Sequence, residues 1–192
     1  MQMNSQKAKK NNIEISVIGS GIAGLTTAYH LKKKGYKVNL IDPKINSEIN
    51  NLNPNNGTQA ALGVLMGNIY KRSKGRAFLL RNRSMQLWKE WLVDLNHSKQ
   101  NCTLEKPLIK LANSEKEYKS MIEISKNKKN YGIELLDRSS IEFWNSIFEK
   151  KLIGGIISHE DGRLNPLKLT RLLMQVLDEI KVNKIENNVI KI

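Results

Sequence analysis

The sequence predicts an α/β fold built on a parallel sheet. Near the N-terminus an apolar strand, a glycine-rich turn and a helix follow one another over 13–35, and a second strand ends in an acid at 37–42. Strands that alternate with helices in this way form parallel sheets. A leucine-rich helix from 166 and a closing apolar stretch predict a further helix and strand.

The length and composition of the chain allow a hydrophobic core that needs no disulfide bonds. The chain has 192 residues, of which 40% are hydrophobic, and a chain of this size buries about 70% of the surface that its unfolded form exposes. Cys102 is the only cysteine, which excludes an internal disulfide and a cysteine-cluster zinc site. We therefore expect a protein of a reducing compartment, the cytoplasm, without a metal site.

No stretch of the sequence predicts a membrane span or a secretory signal. The charge-free run 15–31 is shorter than the roughly 20 apolar residues that a span needs, and it contains three glycines and His30. The basic N-terminus continues into Asn11, Asn12 and Glu14, where a signal peptide would have its apolar segment. We therefore expect no membrane partner.

The most unusual number in the composition is the charge. Thirty-two Lys and Arg against 18 Asp and Glu give a formal net charge of +14, which would suit a binder of nucleic acid or anionic membranes. The cations, however, are mostly lysines scattered among Asn and Ile, whereas a nucleic-acid footprint concentrates charge on one face. We expect no nucleic-acid partner, and a basic nucleic-acid binder stays the weaker alternative. We likewise interpret one lysine cluster as a solvated helix end and not as a binding patch. It consists of Lys126, Lys128 and Lys129.

The first elements are a strand, a glycine turn, a helix and a second strand. Residues 14–18 alternate and then become apolar, which predicts a strand buried on both faces. Helical periodicity continues to a basic last turn before Gly35, a typical stop signal. Residues 37–41 form a second short strand, which Asp42 and Pro43 close.

The turn after the first strand has the spacing G-x-G-x-x-G of a dinucleotide-binding, Rossmann-like fold. In that arrangement Gly19 permits the tight turn, Gly21 lets the backbone approach a pyrophosphate, and Gly24 lets the helix lie close to the sheet. The helix directs its N–H groups and the positive end of its dipole at the phosphates. The cofactor-binding residues predicted here are Gly19, Ser20, Gly21, Ile22, Ala23 and Gly24.

Asp42 follows the second strand at the position of a ribose-binding acid. A carboxylate there accepts hydrogen bonds from ribose hydroxyls, which argues for a free 2′-hydroxyl and against a 2′-phosphate. An Asp-Pro pair is also a common strand-ending turn, so a purely structural role for Asp42 stays open. The fingerprint does not separate NAD from FAD.

Three segments occur in the order of a known family. They are the opening VIGSGIAGLTTAYHLKKKGYKVNLID, the small-residue loop at 57–65, and the segment from Gly154 to Pro166 with the leucine-rich helix behind it. Together they resemble the N-terminal half of the FAD-dependent amino-acid oxidoreductases, the superfamily of D-amino-acid oxidase, glycine oxidase and sarcosine oxidase. The resemblance implies FAD as the cofactor and a Rossmann-like FAD-binding sheet with an inserted, incomplete α+β substrate domain.

The resemblance also implies roles for individual residues. In this family the acid after the second strand holds the adenosine ribose, and the small-residue loop packs beside the pyrophosphate and the flavin. The loop positions that match are Thr58, Ala60, Ala61 and Gly63. Val189 matches a valine whose backbone contacts adenine, on a strand expected at 187–192. The family often has Glu at the ribose position and Ser in the loop, so Asp42 and Thr58 are conservative departures.

The rest of the sequence predicts scaffold. Helices are expected over 73–96, over 114–130 with a Ser-x-x-Glu start, and from Pro166 behind an Asn165 cap. Short strands are expected at 107–112, 133–136 and 152–158. Trp88 and Trp91 could stack on a flavin, but their helical spacing favours the core. The domains expected are a flexible basic tail at 1–11, an FAD-binding domain from 12–72 and 161–192, and a partial substrate domain at 73–160.

The sequence offers no catalytic residue. His30, His97 and His159 each favour a structural or surface role, and no catalytic triad, metal spacing or carboxylate pair stands out. The resemblance implies an FAD-dependent oxidoreductase acting on a C–N bond of a small amine or amino-acid substrate. Family members are longer and carry their substrate-binding arginine beyond the part matched here, so we expect a truncated N-terminal fragment that is inactive alone. The alternatives are a non-catalytic dinucleotide-binding module and one chain of a split enzyme, completed by a complementary polypeptide.

Overall fold

The computed structural model describes residues 13–46, 57–96, 101–148 and 151–191. The basic tail expected at 1–11 and His97 lie outside these ranges. The described residues divide into two units. The first unit takes those within Met1–Gly63, Val93–Cys102 and Asn165–Ile192, and the second takes those within Val64–Leu92 and Thr103–Leu164.

The secondary structure alternates between helices and short strands. In chain order the elements are β1 (Glu14–Ile18), α1 (Ile22–Lys33), β2 (Lys37–Ile41), α2 (Gly57–Ala60), β3 (Val64–Leu65), α3 (Arg76–Leu95), β4 (Leu108–Ala112), α4 (Glu115–Asn127), β5 (Ile133–Leu136), α5 (Glu142–Ile147), β6 (Gly154–Ser158), β7 (Gly162–Arg163), α6 (Pro166–Glu179) and β8 (Asn183–Ile185). None of the helices in the described ranges combines the length and the apolar character that a membrane crossing requires.

The first unit contains a parallel sheet with the strand order β1-β2-β8. Helix α1 connects β1 to β2 and packs against both strands and against α6. Val38 and Leu40 alternate along β2 and are buried, and they pair in register with Ile15 and Val17 of β1. The α/β fold class with a Rossmann-like parallel sheet is therefore confirmed.

The expectation that β1 is buried on both faces is wrong. Among the described strands β1 pairs with β2 alone, so it is an edge strand, and Ile18 at its end is 52% exposed. A polar row crosses the sheet: the Asn39 amide donates to Glu14 Oε1 at 2.7 Å, and the Asn183 amide donates to Asn39 Oδ1 at 2.9 Å. These hydrogen bonds are exposed to solvent, so the face of the sheet that carries Asn39 is polar here, while Ile18, Ile41 and Ile185 continue the same face toward the ends of the strands.

The last strand lies earlier than the expected 187–192. Strand β8 pairs with β2 immediately after α6, because Lys181 adopts a left-handed φ of +58° and the next residue, Val182, turns inward and is buried. Val189 itself is 38% exposed and lies in a stretch without regular secondary structure.

The second unit contains two antiparallel sheets. Strands β4, β6 and β5 form one of them with β6 in the centre, and β3 pairs with β7 in the other. Helix α4 packs against the three-stranded sheet. The core between them consists of Ile69, Ala112, Met121, Ile124, Ile133 and Ile156.

The predicted starts of two helices have the expected caps. The Ser114 side chain accepts a hydrogen bond from the Glu117 N–H at 3.4 Å at the start of α4. Asn165 Oδ1 accepts from the N–H groups of Leu167 and Lys168 at 3.1 and 3.2 Å at the start of α6. In both cases the side chain satisfies N–H groups that a helix start leaves without partners.

The expectation of a solvated lysine cluster is wrong for Lys128, which is 1% exposed. Its ammonium donates to the backbone carbonyls of Asn68 at 2.9 Å, Tyr70, and Arg72 at 3.3 Å. Burial, followed by repulsion from Arg81, lowers the pKa of Lys128. The neighbouring Lys126 and Lys129 are exposed, so the cluster mixes one internal hydrogen-bond donor with solvated charges.

Asp161 binds backbone N–H groups of the same segment. This carboxylate is fully buried and accepts from the N–H groups of Gly67, Asn68 and Ile69 at distances between 2.8 and 3.0 Å. Asp161 and Lys128 together form what we call the polar clamp on 67–72. The clamp satisfies buried backbone groups in a segment that has no strand partner for them.

Candidate dinucleotide site

The turn between β1 and α1 is as tight as its glycines suggest. Gly19 has φ of +95°, a conformation that side chains rarely adopt, and its N–H donates to the Ile41 carbonyl at 2.8 Å. A Cβ atom on Gly24 would lie 1.8 Å from the Gly19 carbonyl oxygen. Glycine is therefore required at both positions for the helix to start this close to the sheet.

The N-terminus of α1 presents backbone donors without protein acceptors. Within the described residues, the N–H groups of Gly21, Ala23 and Gly24 have no acceptor. The first turn of α1 also has no acidic side chain, so nothing on the helix competes for the positive end of its dipole. Such a terminus favours an anionic group.

Thr58 of α2 lies against this turn, although it is 36 residues further along the chain than Ile22. The Ile22 N–H donates to Thr58 Oγ1 at 2.9 Å. A Cβ atom on Gly21 would lie 3.3 Å from the same oxygen. The fold therefore brings the small-residue loop to the glycine turn, and a side chain on Gly21 would crowd the Thr58 hydroxyl.

Asp42 also meets the glycine turn. Its Oδ2 accepts from the Ser20 N–H at 2.8 Å, and its Oδ1 accepts from the Lys44 N–H at 2.8 Å. Partial burial works to raise the pKa of Asp42, but the hydrogen bonds from Ser20 and Lys44 and the charge of Lys44 together hold the pKa below its ordinary value. The side chain is therefore an ionised carboxylate that ties the end of β2 to the turn after β1.

The remaining predicted residues lie at different distances from this arrangement. Ala60 ends α2, and the Ala61 N–H donates to the Thr58 carbonyl at 3.3 Å, which makes both part of the same short turn. Gly63 has φ of +70° and ends the segment. Val189 lies in the irregular stretch that follows β8.

The fit of this site to a dinucleotide rests on donor chemistry. Three N–H groups at one helix terminus match the oxygens of a diphosphate, and one ionised carboxylate at the end of the adjacent strand matches ribose hydroxyls. Each oxygen of Asp42 accepts one backbone N–H, and a carboxylate offers about four acceptor sites. Asp42 can therefore accept ligand hydroxyls without giving up its bonds to the turn.

The described residues provide no obvious catalytic group near this turn. They contain no cluster of three or more His, Cys, Asp or Glu side chains that could hold a metal ion. His159, in the second unit, is exposed and pairs with Glu134 at 3.2 Å. The described residues at this turn can bind and orient a ligand. The reactive group would have to be supplied by the bound ligand.

A comparison of the sequence with models of protein families identifies the family. A model described as FAD-dependent oxidoreductase, DAO, matches residues 14–192. This chain belongs to the DAO family of FAD-dependent oxidoreductases. The resemblance found in the sequence is thereby confirmed for nearly the whole length of this DAO-family chain.

Solved structures agree on the fold. Glycine oxidase from Bacillus cereus ATCC 14579 is 19% identical with a TM-score of 0.71, and the match covers 91% of this chain and 46% of that one. Iminodiacetate oxidase from Chelativorans sp. BNC1 is 19% identical with a TM-score of 0.70, covering 90% and 46%. L-α-glycerophosphate oxidase from Mycoplasma pneumoniae, solved with FAD bound, is 15% identical with a TM-score of 0.65, covering 90% and 44%.

The DAO-family chain thus spans less than half the length of these enzymes. No curated protein matches it by sequence. At such low identities the structural matches establish the fold, and the roles of single residues have to be argued from this chain itself.

Proposed function

We propose that this chain carries the adenosine and diphosphate part of an FAD site in a flavoenzyme that oxidises a C–N bond of an amine or amino acid. The observation that carries the proposal is the glycine turn, where three N–H groups at a helix start have no acceptor among the described residues. Membership of an FAD-dependent family supports FAD over NAD as the dinucleotide.

The proposed binding mode gives each group of residues one task. The N–H groups of Gly21, Ala23 and Gly24 donate to the diphosphate, and the Thr58 hydroxyl borders the same space. Asp42 accepts from the adenosine ribose while its backbone bonds fix its orientation. Ala60, Ala61 and Gly63 provide a surface of small residues on which the cofactor can lie close to the backbone.

Bound FAD would supply the redox chemistry by accepting a hydride from the carbon next to the amine nitrogen. The residues of this chain would bind the cofactor, orient it and neutralise its diphosphate. The names of two structural relatives, glycine oxidase and iminodiacetate oxidase, support an amine or amino acid as the substrate class. We nominate no catalytic residue in this chain.

A second candidate is a nucleotide-binding chain that needs another polypeptide for activity, or that has no catalysis at all. The observation that favours it is the coverage of 46% or less of the related enzymes named above. In this case the site on the glycine turn binds FAD equally well. Only the assay for activity separates the two candidates.

Two measurements on the purified chain test these proposals in sequence. Bound flavin is detected by visible absorbance and by FAD release on denaturation. Hydrogen peroxide release is then measured with glycine, sarcosine and D-amino acids, with and without a second polypeptide that corresponds to the remaining half of the relatives. We expect bound FAD and no turnover by the chain alone. Turnover by the chain alone would refute its dependence on another part, and no FAD binding would refute the site.

A further inference from the structure

One stretch of the second unit concentrates positive charge. Residues 70–83 contain six cations, namely Lys71, Arg72, Lys74, Arg76, Arg81 and Arg83, and no acid. All residues from 71 to 77 are exposed. The six cations fall within the 13 residues from Lys71 to Arg83.

The start of α3 arranges part of this charge around two leucines. Arg76, Leu79, Leu80 and Arg83 have the spacing i, i+3, i+4, i+7, which places them on one face of the helix. Leu79 and Leu80 are 65% and 71% exposed. This face of the helix points to solvent, because Phe78 on the opposite side is buried. The Phe78 ring lies 6.2 Å from the ring of Tyr131.

Most of these cations have no acidic partner. Lys71 pairs with Glu123 at 2.8 Å, and Arg83 lies 3.7 Å from Glu90. For Arg72, Lys74 and Arg76, no carboxylate of the described residues lies within 4 Å. The surface therefore keeps a local positive charge that the protein does not neutralise.

We propose that this surface, the basic-leucine face of Lys71, Arg72, Lys74, Arg76, Leu79, Leu80 and Arg83, docks onto an anionic lipid bilayer. The cations would attract the negatively charged headgroups, and the two leucines would enter the boundary between headgroups and acyl chains. The chain then lies on the membrane without crossing it. This proposal replaces the expectation from the sequence that the protein has no membrane partner.

The composition of the face favours lipid over other partners. A covering protein domain would have to desolvate several cations that lack acidic partners, which is costly. A nucleic acid would satisfy the charges but would gain nothing from two adjacent exposed leucines between arginines, since its backbone is read by charge. Only a surface that is anionic outside and apolar beneath uses both features.

The test is co-sedimentation of the full chain with vesicles. Vesicles of phosphatidylcholine alone are compared with vesicles that also contain phosphatidylglycerol, at low and moderate salt. R72Q/K74Q/R76Q removes charge from the face, L79Q/L80Q removes its apolar part, and K110Q/K116Q/K119Q removes three exposed cations elsewhere in the same unit. All the substituted residues are exposed, and circular dichroism checks that each variant is folded.

We expect binding to the anionic vesicles only. The charge variant should weaken it on the order of 100-fold, the leucine variant roughly ten-fold, and the K110Q/K116Q/K119Q control far less than the charge variant. Equal losses in the charge variant and the control would overturn the proposal, because net charge alone would then explain the binding. The proposal would also be overturned if the chain bound an RNA or DNA oligonucleotide more tightly than the vesicles and L79Q/L80Q left that binding unchanged.

Discussion

The backbone N–H of Ile22 donates to the hydroxyl oxygen of Thr58 at 2.9 Å. This bond joins the start of α1 to a short helix that follows the second strand of the sheet. It satisfies one of the N–H groups that the helix start leaves open, while Ala23 and Gly24 remain available to a ligand. The candidate cofactor site therefore depends on a residue outside the glycine turn.

Replacing Thr58 by Val tests this dependence. Valine has nearly the same shape but no hydroxyl, so the Ile22 N–H loses its acceptor. We expect the free energy of unfolding to fall by about 1 kcal/mol and the FAD affinity to fall about ten-fold, measured by urea unfolding and by fluorescence titration. Thr58→Ser keeps the hydroxyl and serves as the control. Equal effects of Thr58→Val and Thr58→Ser would contradict a contribution of the Thr58 hydroxyl to stability and FAD affinity.

Asp42→Asn tests the carboxylate that connects β2 to the turn. The folded pKa of Asp42 lies below its ordinary value of 3.8, so its ionised form is stabilised by folding. The stability that it contributes is full above pH 3.8 and is lost as the pH falls through the folded pKa. We expect the variant to be less stable than wild type at neutral pH, and the difference to shrink in acid. Urea unfolding at a series of pH values measures this, and a difference that stays constant down to the lowest pH would contradict it.

The same variant should weaken FAD binding at neutral pH. An amide offers one acceptor oxygen in place of two, and the bonds to Ser20 and Lys44 compete for it. Asp42→Glu keeps the charge and is the matched comparison. If Asp42→Asn bound FAD as tightly as wild type, Asp42 would be only a turn-closing residue.

Lys128→Met tests the polar clamp in the second unit. The substitution leaves the carbonyls of Asn68, Tyr70 and Arg72 without the ammonium donor. We expect the free energy of unfolding to fall by about 2 to 3 kcal/mol. Lys126→Met, at an exposed position of the same helix, should change it by less than about 0.5 kcal/mol. Similar results for the two variants would mean that the buried lysine contributes no net stability.

Asp161→Asn probes the other half of the clamp. The carboxylate accepts from three backbone N–H groups, and the amide would turn an NH2 group toward at least one of them. We expect a loss of about 2 kcal/mol of unfolding free energy. Asp94 is exposed and lies 3.6 Å from the exposed Lys33, so it offers the control Asp94→Asn, for which little change is expected. A loss no larger than that of the control would contradict the clamp.

The local features of the fold were predictable because local rules determine them. The β1-α1-β2 segment follows from hydrophobic periodicity and from a glycine turn. The caps at Ser114 and Asn165 follow from side chains that compete with the backbone for hydrogen bonds. The short elements α2, β3 and β7 were missed, because segments of four residues or fewer carry no periodicity. The six-residue helix α5 was missed as well.

The errors concern features that depend on distant parts of the chain. Whether β1 is buried depends on its strand neighbours, and the alternation within 14–18 contains no information on them. Lys128 is buried because three carbonyls from 68–72 reach it, which helix patterning does not reveal. A cofactor role for Thr58 was predicted only through the family resemblance, and the structure shows a hydrogen bond from the Ile22 N–H that joins Thr58 to the glycine turn.

The central claim is that the turn between β1 and α1 binds the diphosphate of FAD. Titration of the purified chain with FAD, followed by flavin fluorescence and absorbance, tests it most directly when wild type, Gly21→Asp and Gly57→Ala are compared. A carboxylate at Gly21 would crowd Thr58 and repel the diphosphate, whereas a Cβ atom on Gly57 has nothing within 4 Å. We predict saturable binding to wild type and to Gly57→Ala, and none to Gly21→Asp. Equal FAD binding by all three, or by none, would contradict the claim.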